Sequence, residues 1–262
     1  MKTLRIATYN VNGIRSRVDN LFSWLERTAP DIACLQELKA PDEHFPESDL
    51  KDLGYDAIWH GQKSWNGVAI LSRGGLTEIR RGLPGDPDDT HSRYIEALCH
   101  GITVGCLYLP NGNPWPGPKF DYKLRWFERL AAHAKTLLAR NGPVVLAGDY
   151  NVIPTPFDAH KPENWVRDAL FSPEAREAYR RLLEQGWTDA LRALNPDRQV
   201  FTYWDYFRNA FARDAGIRID HQLLNAPASK ALVSAGVDRE ERGLPHPSDH
   251  APVWIELRHS RS

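Results

Sequence analysis

Short apolar segments recur along the chain with the length and spacing expected of β-strands. In residues 251–257, Val253, Ile255 and Leu257 alternate with side chains of the opposite face, which is the period of two typical of a half-buried strand. Apolar runs of similar length, several of them bounded by Gly, Pro, Asn or Asp, predict further strands. These runs cover residues 4–10, 31–37, 67–72, 95–109 on both sides of His100 and Gly101, 143–149 and 217–220.

Three other segments have the 3.6-residue period of an amphipathic helix. The first starts at Val18, and its apolar residues at i, i+3, i+4 and i+7 share one face before Pro30 ends the run. The second covers about 119–140, and the third follows the N-cap Ser172 and ends before Gly186. Many strands with few helices, and no regular alternation between them, predict an α/β fold of two packed sheets flanked by helices. The same order argues against a TIM barrel.

Length and composition are those of one globular domain that spans residues 1–262. Of the 262 residues, 42% are hydrophobic and 26% are charged, and the chain lacks repeats, low-complexity tracts and long linkers. The formal net charge of −1 provides no bulk attraction to nucleic acid. It does not exclude such a partner, because a carboxylate-rich metal site would offset the charge of an otherwise basic face.

The three cysteines, Cys34, Cys99 and Cys106, are odd in number and lack the spacing of a metal site. Cys34 and Cys106 lie inside predicted strands, so we expect buried free thiols, which suit a reducing compartment. The N-terminal residues lack the apolar core of a secretory signal, and no apolar run approaches the length of a membrane span. We therefore expect a cytoplasmic protein without a membrane partner.

Polar side chains follow the predicted strands at the points where the strands end. They are Asn10, Asn12, Glu37, Tyr108, Asp149, Asn151, Asp220, Ser248, Asp249 and His250. Each one alone is more often a turn former or, for the tyrosine, a core aromatic. Because the ends of strands in a sandwich meet at one edge, the recurrence of such residues predicts a shared site.

The chemistry of this predicted site favours a hard cation. A gathering of carboxylates is unfavourable unless a cation neutralises it. Glu, Asp and Asn in oxygen-dominated company favour Mg²⁺ or Mn²⁺ over Zn²⁺, and Mg²⁺ held by few carboxylates is typical of sites that act on phosphates. The Asp249–His250 pair stands on a backbone stiffened by Pro247 and Pro252, which suits a rigid site, although a surface turn is the simpler interpretation of that stretch.

Several segments taken together resemble the exodeoxyribonuclease III family of the endonuclease/exonuclease/phosphatase superfamily. They read YNVNGIR, LQELK, GQKSWNGVAI, YLPNG, KFDYKLRW, GDYNV, GIRIDH and PSDHAPV, in the family's order. The resemblance implies a four-layer α/β sandwich and a Mg²⁺- or Mn²⁺-dependent DNA phosphodiesterase of base excision repair. It implies 3′-to-5′ exonuclease, 3′-end-processing and abasic-site endonuclease activities of a monomer on double-stranded DNA with 3′ ends, nicks or abasic sites.

Carried over residue by residue, the resemblance implies a metal site whose principal ligand is Glu37. Mg²⁺ takes oxygen ligands and retains water, so amide and carboxylate groups are suitable neighbours of that glutamate. The other residues implied in this metal site are Asn10, Asn12, Asp149, Asn151, Asp249 and His250.

The resemblance also implies a set of catalytic residues. Asp149 and Asn151 would orient or deprotonate the attacking water, which is worth roughly 10²- to 10⁴-fold in rate for a positioned base. His250 would contact the scissile phosphate, with Asp220 setting its tautomer and favouring the imidazolium. Tyr108 would donate to a phosphate oxygen or assist the leaving group.

A further set of residues resembles family positions that contact DNA: Arg93, Asn111, Lys119, Tyr203, Trp204, Asp205 and Arg208. Exposed Arg and Lys are otherwise usually solvated, and the aromatic run at 201–207 has core packing as its alternative interpretation. As a functional loop, this run would form a pocket for a flipped, base-free sugar. Residues 154–171 are expected to be a DNA-facing insertion.

The chain departs from the family pattern in the aromatic loop. Tyr203 stands where many relatives have Trp, and Phe207 stands where they have Arg. Abasic-site incision is therefore less secure than 3′-end processing. The alternatives are a 3′-end processor that lacks incision, another phosphoesterase of the same fold that acts on RNA or phosphoinositides, and a binding module. A binding module would be expected to lack at least one chemical residue, yet all of them are present.

Overall fold

The computed structural model describes residues 2–259, and strands account for most of its core. In chain order the strands are β1 Lys2–Asn10, β2 Ile32–Gln36, β3 Asp56–His60, β4 Val68–Ser72, β5 Leu76–Arg81, β6 Tyr94–Cys99, β7 Ile102–Tyr108, β8 Val144–Asp149, β9 Thr188–Asp189, β10 Asp220–Leu224, β11 Leu232–Val237 and β12 Val253–His259. They form two sheets. The first sheet has the order β11-β12-β1-β2-β4-β3, and the second has the order β5-β6-β7-β8-β10-β9.

Both sheets are mixed. In the first sheet β1 is parallel to β2 and antiparallel to β12. In the second sheet β8 is parallel to β7 and antiparallel to β10. The carboxyl ends of β1, β2, β7 and β8 therefore share an edge with the amino ends of β10 and β12. This edge of the sandwich carries the candidate site.

Helices cover the outer faces of the sheets. They are α1 Val18–Thr28, α2 Glu47–Asp52, α3 Pro118–Leu138, α4 Pro173–Glu184, α5 Ala190–Leu194 and α6 Ala226–Ala231. The apolar stripe of α1, with Leu21, Trp24 and Leu25, packs on the first sheet. Helices α3 and α4 pack on the second sheet around Trp126 and Tyr179. None of the helices described over residues 2–259 is long and apolar enough to cross a membrane.

The inner faces of the two sheets meet in a continuous apolar layer. Ile6, Ile32 and Ile70 of the first sheet pack against side chains such as Val104 and Val145 of the second. Their burial is the main favourable contribution to folding, at roughly 25 cal/mol per Å² of apolar surface removed from water. The predicted two packed sheets flanked by helices, and the four-layer α/β sandwich, are confirmed.

Most predicted elements are present, but the predicted strand at 217–220 is wrong. Asp220 begins β10 and does not end a strand. Ile217 instead exchanges backbone hydrogen bonds with Tyr203, and Arg218 N donates to Asp158 O. The apolar alternation that predicted a strand packs Ile217 and Ile219 into a small separate cluster. Because β10 runs antiparallel to β8, Asp220 still reaches the same edge as Asp149.

Apart from β10, the strands that sequence reasoning missed lie at sheet edges, and they are β3, β5, β9 and β11. β5, for example, has the sequence LTEIRR, with every residue after the first exposed. An edge strand with one or both faces in water lacks the apolar run used to predict strands.

Candidate active site

The two sheets contribute side chains to one pocket at the shared edge. In the second sheet Tyr108, Asp149 and Asp220 lie side by side, because Asp149 pairs in register with each of the other two. In the first sheet Asn10 ends β1, and Glu37 directly follows β2. The predicted convergence of these residues is therefore present in the structure.

Asn10 joins the two sheets across the floor of the site. Its Nδ2 atom donates to Glu37 Oε1 at 3.0 Å and to Asp149 Oδ2 at 3.0 Å. Lys39 Nζ lies 2.8 Å from Glu37 Oε2. Burial alone would raise the pKa of Glu37, but the Lys39 charge and the hydrogen bond from Asn10 lower it below its ordinary value. Glu37 is thus ionised at neutral pH.

A second carboxylate, Asp249, stands next to this group. Asn12 Nδ2 donates to Asp249 Oδ1 at 2.9 Å, and Lys39 Nζ donates to Asn12 Oδ1 at 2.5 Å. Lys39 was not among the predicted site residues, although it stands in the LQELK motif two positions after Glu37. Tyr206, also not predicted, contacts Asn12 Nδ2 through its hydroxyl at 3.1 Å. The amide and carboxylate oxygens around Glu37 are hard donors of the kind that Mg²⁺ and Mn²⁺ prefer.

Several residues of the site have left-handed backbone conformations that non-glycine residues rarely adopt. The φ angles are 48° at Asn12, 53° at Glu37, 51° at Lys39 and 46° at Asn151. Each costs on the order of 1 kcal/mol, and such strain persists only where the surroundings enforce it. Backbone hydrogen bonds between the loop after β1 and the loop after β2, including Gly13 N to Glu37 O at 2.8 Å, hold Asn12, Glu37 and Lys39 in this arrangement. The fold thus stabilises an otherwise unfavourable presentation of these side chains.

Asp149 and Asn151 form a second unit at the end of β8. Asn151 N donates to Asp149 Oδ1 at 2.8 Å, and Asn151 Nδ2 donates to Leu109 O at 2.9 Å. Asp149 is almost completely buried. Burial, together with the charges of Asp220 and Glu37, raises its pKa well above the ordinary value of an aspartate. A carboxyl group with a raised pKa is a stronger base when ionised, which suits proton transfer from water.

His250 and Asp220 form a buried ion pair. His250 Nδ1 lies 2.8 Å from Asp220 Oδ2, and His250 Nε2 lies 3.8 Å from Asp149 Oδ2. Burial would lower the pKa of His250, but the charge and hydrogen bond of Asp220, with the charge of Asp149, raise it to about 10. The imidazole is therefore cationic at neutral pH.

Asp149, Asp220 and His250 also offer possible ligand atoms within 4.8 Å of one another. An imidazolium, however, has no free lone pair for a metal. The oxygen donors around Glu37 are therefore the better match to a divalent cation.

Tyr108 is buried beside the carboxylates. Burial and the charges of Glu37 and Asp149 raise its pKa well above the ordinary tyrosine value, so the hydroxyl keeps its proton and can donate it. Arg93 packs its guanidinium over the Tyr108 ring, with Cζ 4.8 Å from the ring centroid, and its Nη1 donates to Tyr108 O at 3.2 Å.

Part of this group of residues lines a cavity of about 320 Å³. The lining residues that the sequence predicted are Glu37, Tyr108, Asn111, Asp149, Asn151, Tyr203, Asp205, Asp249 and His250. Those it missed are Asn113, Trp165, Asp168, Leu170 and Ile219. Trp165, Asp168 and Leu170 belong to the predicted insertion at 154–171, but no periodicity or spacing singles out individual residues there.

The remaining predicted residues lie outside this cavity. Lys119 is exposed at the start of α3, and Arg208 lines an adjoining cleft with Lys161 and Arg213. Trp204 is only 1% exposed, so its indole has no surface to offer a ligand. Its backbone N–H donates to Asp249 O at 2.9 Å and so holds that segment in place.

Comparison with known proteins identifies relatives that match along nearly the whole chain. A family model described as "Endonuclease/Exonuclease/phosphatase family" matches residues 7–250. Exodeoxyribonuclease III of Haemophilus influenzae is 33% identical over 267 residues, covering 97% of this chain and 100% of the relative.

Solved structures agree with this match. An AP endonuclease from Archaeoglobus fulgidus is 37% identical with a TM-score of 0.94, covering 98% of this chain and 100% of that chain. The 3′ phosphatase NExo from Neisseria, bound to a product DNA hairpin, is 39% identical with a TM-score of 0.95 and the same coverage.

Proposed function

This chain belongs to the endonuclease/exonuclease/phosphatase family, in its exodeoxyribonuclease III branch, and we propose that it is a DNA phosphodiesterase of base excision repair. Its substrate would be double-stranded DNA, which it would process at 3′ ends, nicks and abasic sites. The observation that supports this most is that an ionised glutamate, a buried aspartate and a cationic histidine meet in one cavity. Hydrolysis of a phosphodiester requires a ligand for a metal ion, a base for the attacking water and a positive donor for the charge on the phosphate.

Mg²⁺ or Mn²⁺ is the proposed cofactor, with Glu37 as the principal ligand and Asn10, Asn12 and Asp249 beside it. The residues fit such an ion, because their oxygens are hard donors with an excess of negative charge. The position of Lys39 Nζ, between Glu37 Oε2 and Asn12 Oδ1, supports this assignment, because a cationic group already lies next to these oxygens. A bound divalent ion would neutralise charge on the phosphate and stabilise the leaving alkoxide. Asp149 and Asn151 at the end of β8, and His250 just before β12, would border the ion.

The attacking water would be bound and deprotonated by Asp149. Asn151 fixes the orientation of this carboxylate through its backbone N–H, and Asn111 Nδ2 in turn donates to Asn151 Oδ1 at 3.1 Å. Burial keeps the proton affinity of Asp149 high, so it can accept a proton as the water attacks phosphorus.

His250 would donate from Nε2 to a non-bridging phosphate oxygen. Asp220 holds Nδ1 and keeps the ring cationic, so that a fixed positive donor faces the developing negative charge. Tyr108, whose hydroxyl remains protonated, would donate to a phosphate oxygen or to the departing 3′ oxygen.

The flanking DNA would be held by side chains around the cavity. Arg93 is half-buried and packs its guanidinium over the Tyr108 ring, which places it next to the cavity. Asn111, Tyr203 and Asp205 line the cavity itself, and Lys119 and Arg208 are placed for phosphate contacts outside it. Trp204 would act indirectly, through its hydrogen bond to Asp249.

Abasic-site incision is the less supported of the proposed activities. Phe207, at the position where many relatives have Arg, is 75% exposed and lines the adjoining cleft, not the catalytic cavity. Tyr203 lies with its ring centroid 5.1 Å from that of His250, so its size affects the space next to the scissile phosphate. A specialised 3′-end processor is therefore the second candidate.

The test uses purified protein, Mg²⁺ and two labelled duplexes, one with a nick and a 3′-phosphate and one with an internal abasic analogue. Cleavage of both would support the full repair activity, and cleavage of the nicked duplex alone would support the specialised processor. Asp149→Asn protein and EDTA are the controls. Absence of cleavage in both duplexes would refute the proposal and favour RNA or phosphoinositide substrates.

We further propose that residues 1–262 act as one domain and as a monomer in the cytoplasm. The three cysteines are free and buried, as expected of a protein in a reducing compartment. Light scattering of the purified protein at assay concentration tests the oligomeric state.

A further inference from the structure

A buried lysine lies beneath the candidate site and has no part in the chemistry assigned above. Lys123 projects from the second turn of α3, and its side chain is fully buried. Lysine is almost never fully buried unless its ammonium is paired. Here the acceptors are backbone carbonyls: Lys123 Nζ donates to the oxygens of Asn111 at 3.0 Å, Asn151 at 2.5 Å and Ala169 at 3.2 Å. Each N–H group of the ammonium therefore has one acceptor.

The three carbonyls belong to three separate segments of the chain. Asn111 follows β7, Asn151 follows β8, and Ala169 lies in the segment that leads into α4. The first two segments meet directly above the ammonium, where Asn111 Nδ2 donates to Asn151 Oδ1 at 3.1 Å. Asn151 N then donates to Asp149 Oδ1. A chain of hydrogen bonds thus leads from Lys123 to the proposed base.

The third segment is joined to the first by a further pair of hydrogen bonds. Ala169 N donates to Asn113 Oδ1 at 3.0 Å, and Asn113 Nδ2 donates to Asp168 Oδ1 at 3.0 Å. Asn113 and Asp168 both line the catalytic cavity. One ammonium therefore fixes the relative positions of three loops that form one wall of that cavity.

The loop around Gly112 is shaped to admit the lysine side chain. Gly112 has φ +90°, and a Cβ atom there would lie 2.7 Å from Lys123 Cδ and 3.2 Å from Ala169 Cβ. A side chain at this position would push the lysine stem away from its carbonyls. The close approach of this loop to the lysine depends on the absence of that side chain.

We propose that Lys123 is a positioning residue for phosphodiester hydrolysis, which sets the location of Asn151 and Asn111 relative to Asp149. This inference rests on the proposed function. Because Lys123 is buried, it acts through these neighbours and not by touching DNA. A misplacement of about 1 Å in a catalytic group can lower the rate by roughly 10²-fold, so a loss of this tether should reduce kcat more than substrate binding.

The test compares full-length wild type with Lys123→Met, which keeps the length of the stem and removes the ammonium. Steady-state kcat and KM are measured on the nicked 3′-phosphate duplex in Mg²⁺, well below the melting midpoint of each protein. We expect kcat to fall by roughly 10- to 100-fold and KM to change by less than about threefold.

A matched control is Glu96 of β6, which packs against the same helix. Glu96→Gln disturbs a buried polar group that contacts His133 of α3 but touches no residue of the site. It should lower the melting midpoint and leave kcat at the wild-type value. This contrast separates a loss of positioning from a loss of stability.

Folded Lys123→Met protein with wild-type kcat would overturn the positioning role. If Lys123→Met does not fold, Lys123→Arg decides, because it keeps a cation whose planar group cannot meet the same three carbonyls. A folded Lys123→Arg protein with reduced kcat supports the proposal, and one with wild-type kcat overturns it. An inactive wild type would instead refute the proposed function, and the positioning role would fall with it.

Discussion

Two buried carboxylate–histidine pairs in residues 2–259 have the same contact distance, and they differ in their third neighbours. Asp220 Oδ2 lies 2.8 Å from His250 Nδ1 at the catalytic edge, and Glu96 Oε2 lies 2.8 Å from His133 Nε2 beneath α3. Both carboxylates are about 1% exposed or less. One pair is Asp–His and the other Glu–His, but both join a carboxylate to an imidazole at the same distance, so the pair contact alone does not identify the reactive one.

The surroundings of the two pairs have opposite electrostatic character. Glu96 also accepts hydrogen bonds from the Tyr94 hydroxyl at 2.8 Å and from Arg140 at 3.1 Å, so donors outnumber carboxylates. Around Asp220 the next ionisable neighbour is another carboxylate, Asp149. A pair with surplus donors is satisfied and stabilises the fold. A pair with surplus carboxylates can still interact favourably with a cation or a proton, which is the requirement of a reactive site.

The largest expected effect is that of Asp149→Asn, which removes the surplus carboxylate. We expect kcat on the nicked duplex to fall by roughly 10²- to 10⁴-fold, because the proposed base is lost. The melting midpoint should stay equal or rise, since burial opposes ionisation of this group in the folded state. Calorimetry and steady-state kinetics on the same sample check both parts. A large loss of stability with unchanged kcat would contradict the distinction between a reactive pair at the catalytic edge and a structural pair beneath α3.

The next effect is that of Asp220→Asn, which keeps the shape of the catalytic pair and removes its charge. The imidazole would lose the interaction that keeps it cationic, so kcat should fall by roughly 10²-fold, the value typical of one lost oxyanion-stabilising donor. KM should change little, because the pair faces the phosphate and not the flanking DNA. Asn225, buried at the far end of β10, provides the control: Asn225→Asp should affect folding alone.

The free-energy change expected for Glu96→Gln is smaller, and it affects stability and not catalysis. His133 would lose a charged partner in a buried environment, and Arg140, which is 40% exposed, would lose the same partner closer to solvent. The free energy of unfolding should fall by about 2 to 3 kcal/mol. Activity per folded molecule should be unchanged. Urea denaturation followed by tryptophan fluorescence measures the stability. A fall in kcat at a temperature where the variant is fully folded would show that the two pairs are not independent.

The smallest expected effect is the pH dependence of the difference in unfolding free energy between wild type and Glu96→Gln. Hydrogen bonds from His133 and Tyr94 outweigh burial and hold the pKa of Glu96 below its ordinary value. Its stabilising contribution is therefore fully present above the unfolded-state pKa of about 4.3 and is lost as pH falls through the lower folded-state pKa. The difference in unfolding free energy between wild type and Glu96→Gln should be constant above about pH 5.5 and shrink below about pH 4.3. A difference that grows on acidification would reverse the assigned sign.

Sequence reasoning located the site well because its residues follow strands. Asn10, Glu37, Asp149 and His250 could be placed at one edge from strand ends alone, since side chains at the ends of adjacent strands must converge. Asp220 was predicted at the correct edge but on the wrong side of its strand. The direction of β10 depends on its pairing with β8, which is a long-range contact that local periodicity does not report.

Other parts of the site could not be found in this way. Lys123 is expected at the surface by its residue type, yet it is completely buried. For Trp204 the sequence left core packing and a functional loop as alternatives, and the structure shows the side chain only 1% exposed. Whether a polar or aromatic side chain is exposed depends on the segments that pack over it. For Lys123 the decisive partners are three carbonyls from distant parts of the chain, and a backbone carbonyl has no signature in the sequence.

The sequence by itself therefore determined the fold class, most of the strands that form the core and the main chemical groups of the site, because these follow from local periodicity and residue type. Only the tertiary structure decided which carboxylate–histidine pair is surrounded by surplus charge. It also decided which lysine is buried and which loops it joins. These properties depend on distances between groups far apart in the chain, and electrostatic and hydrogen-bond energies change steeply with such distances and with burial.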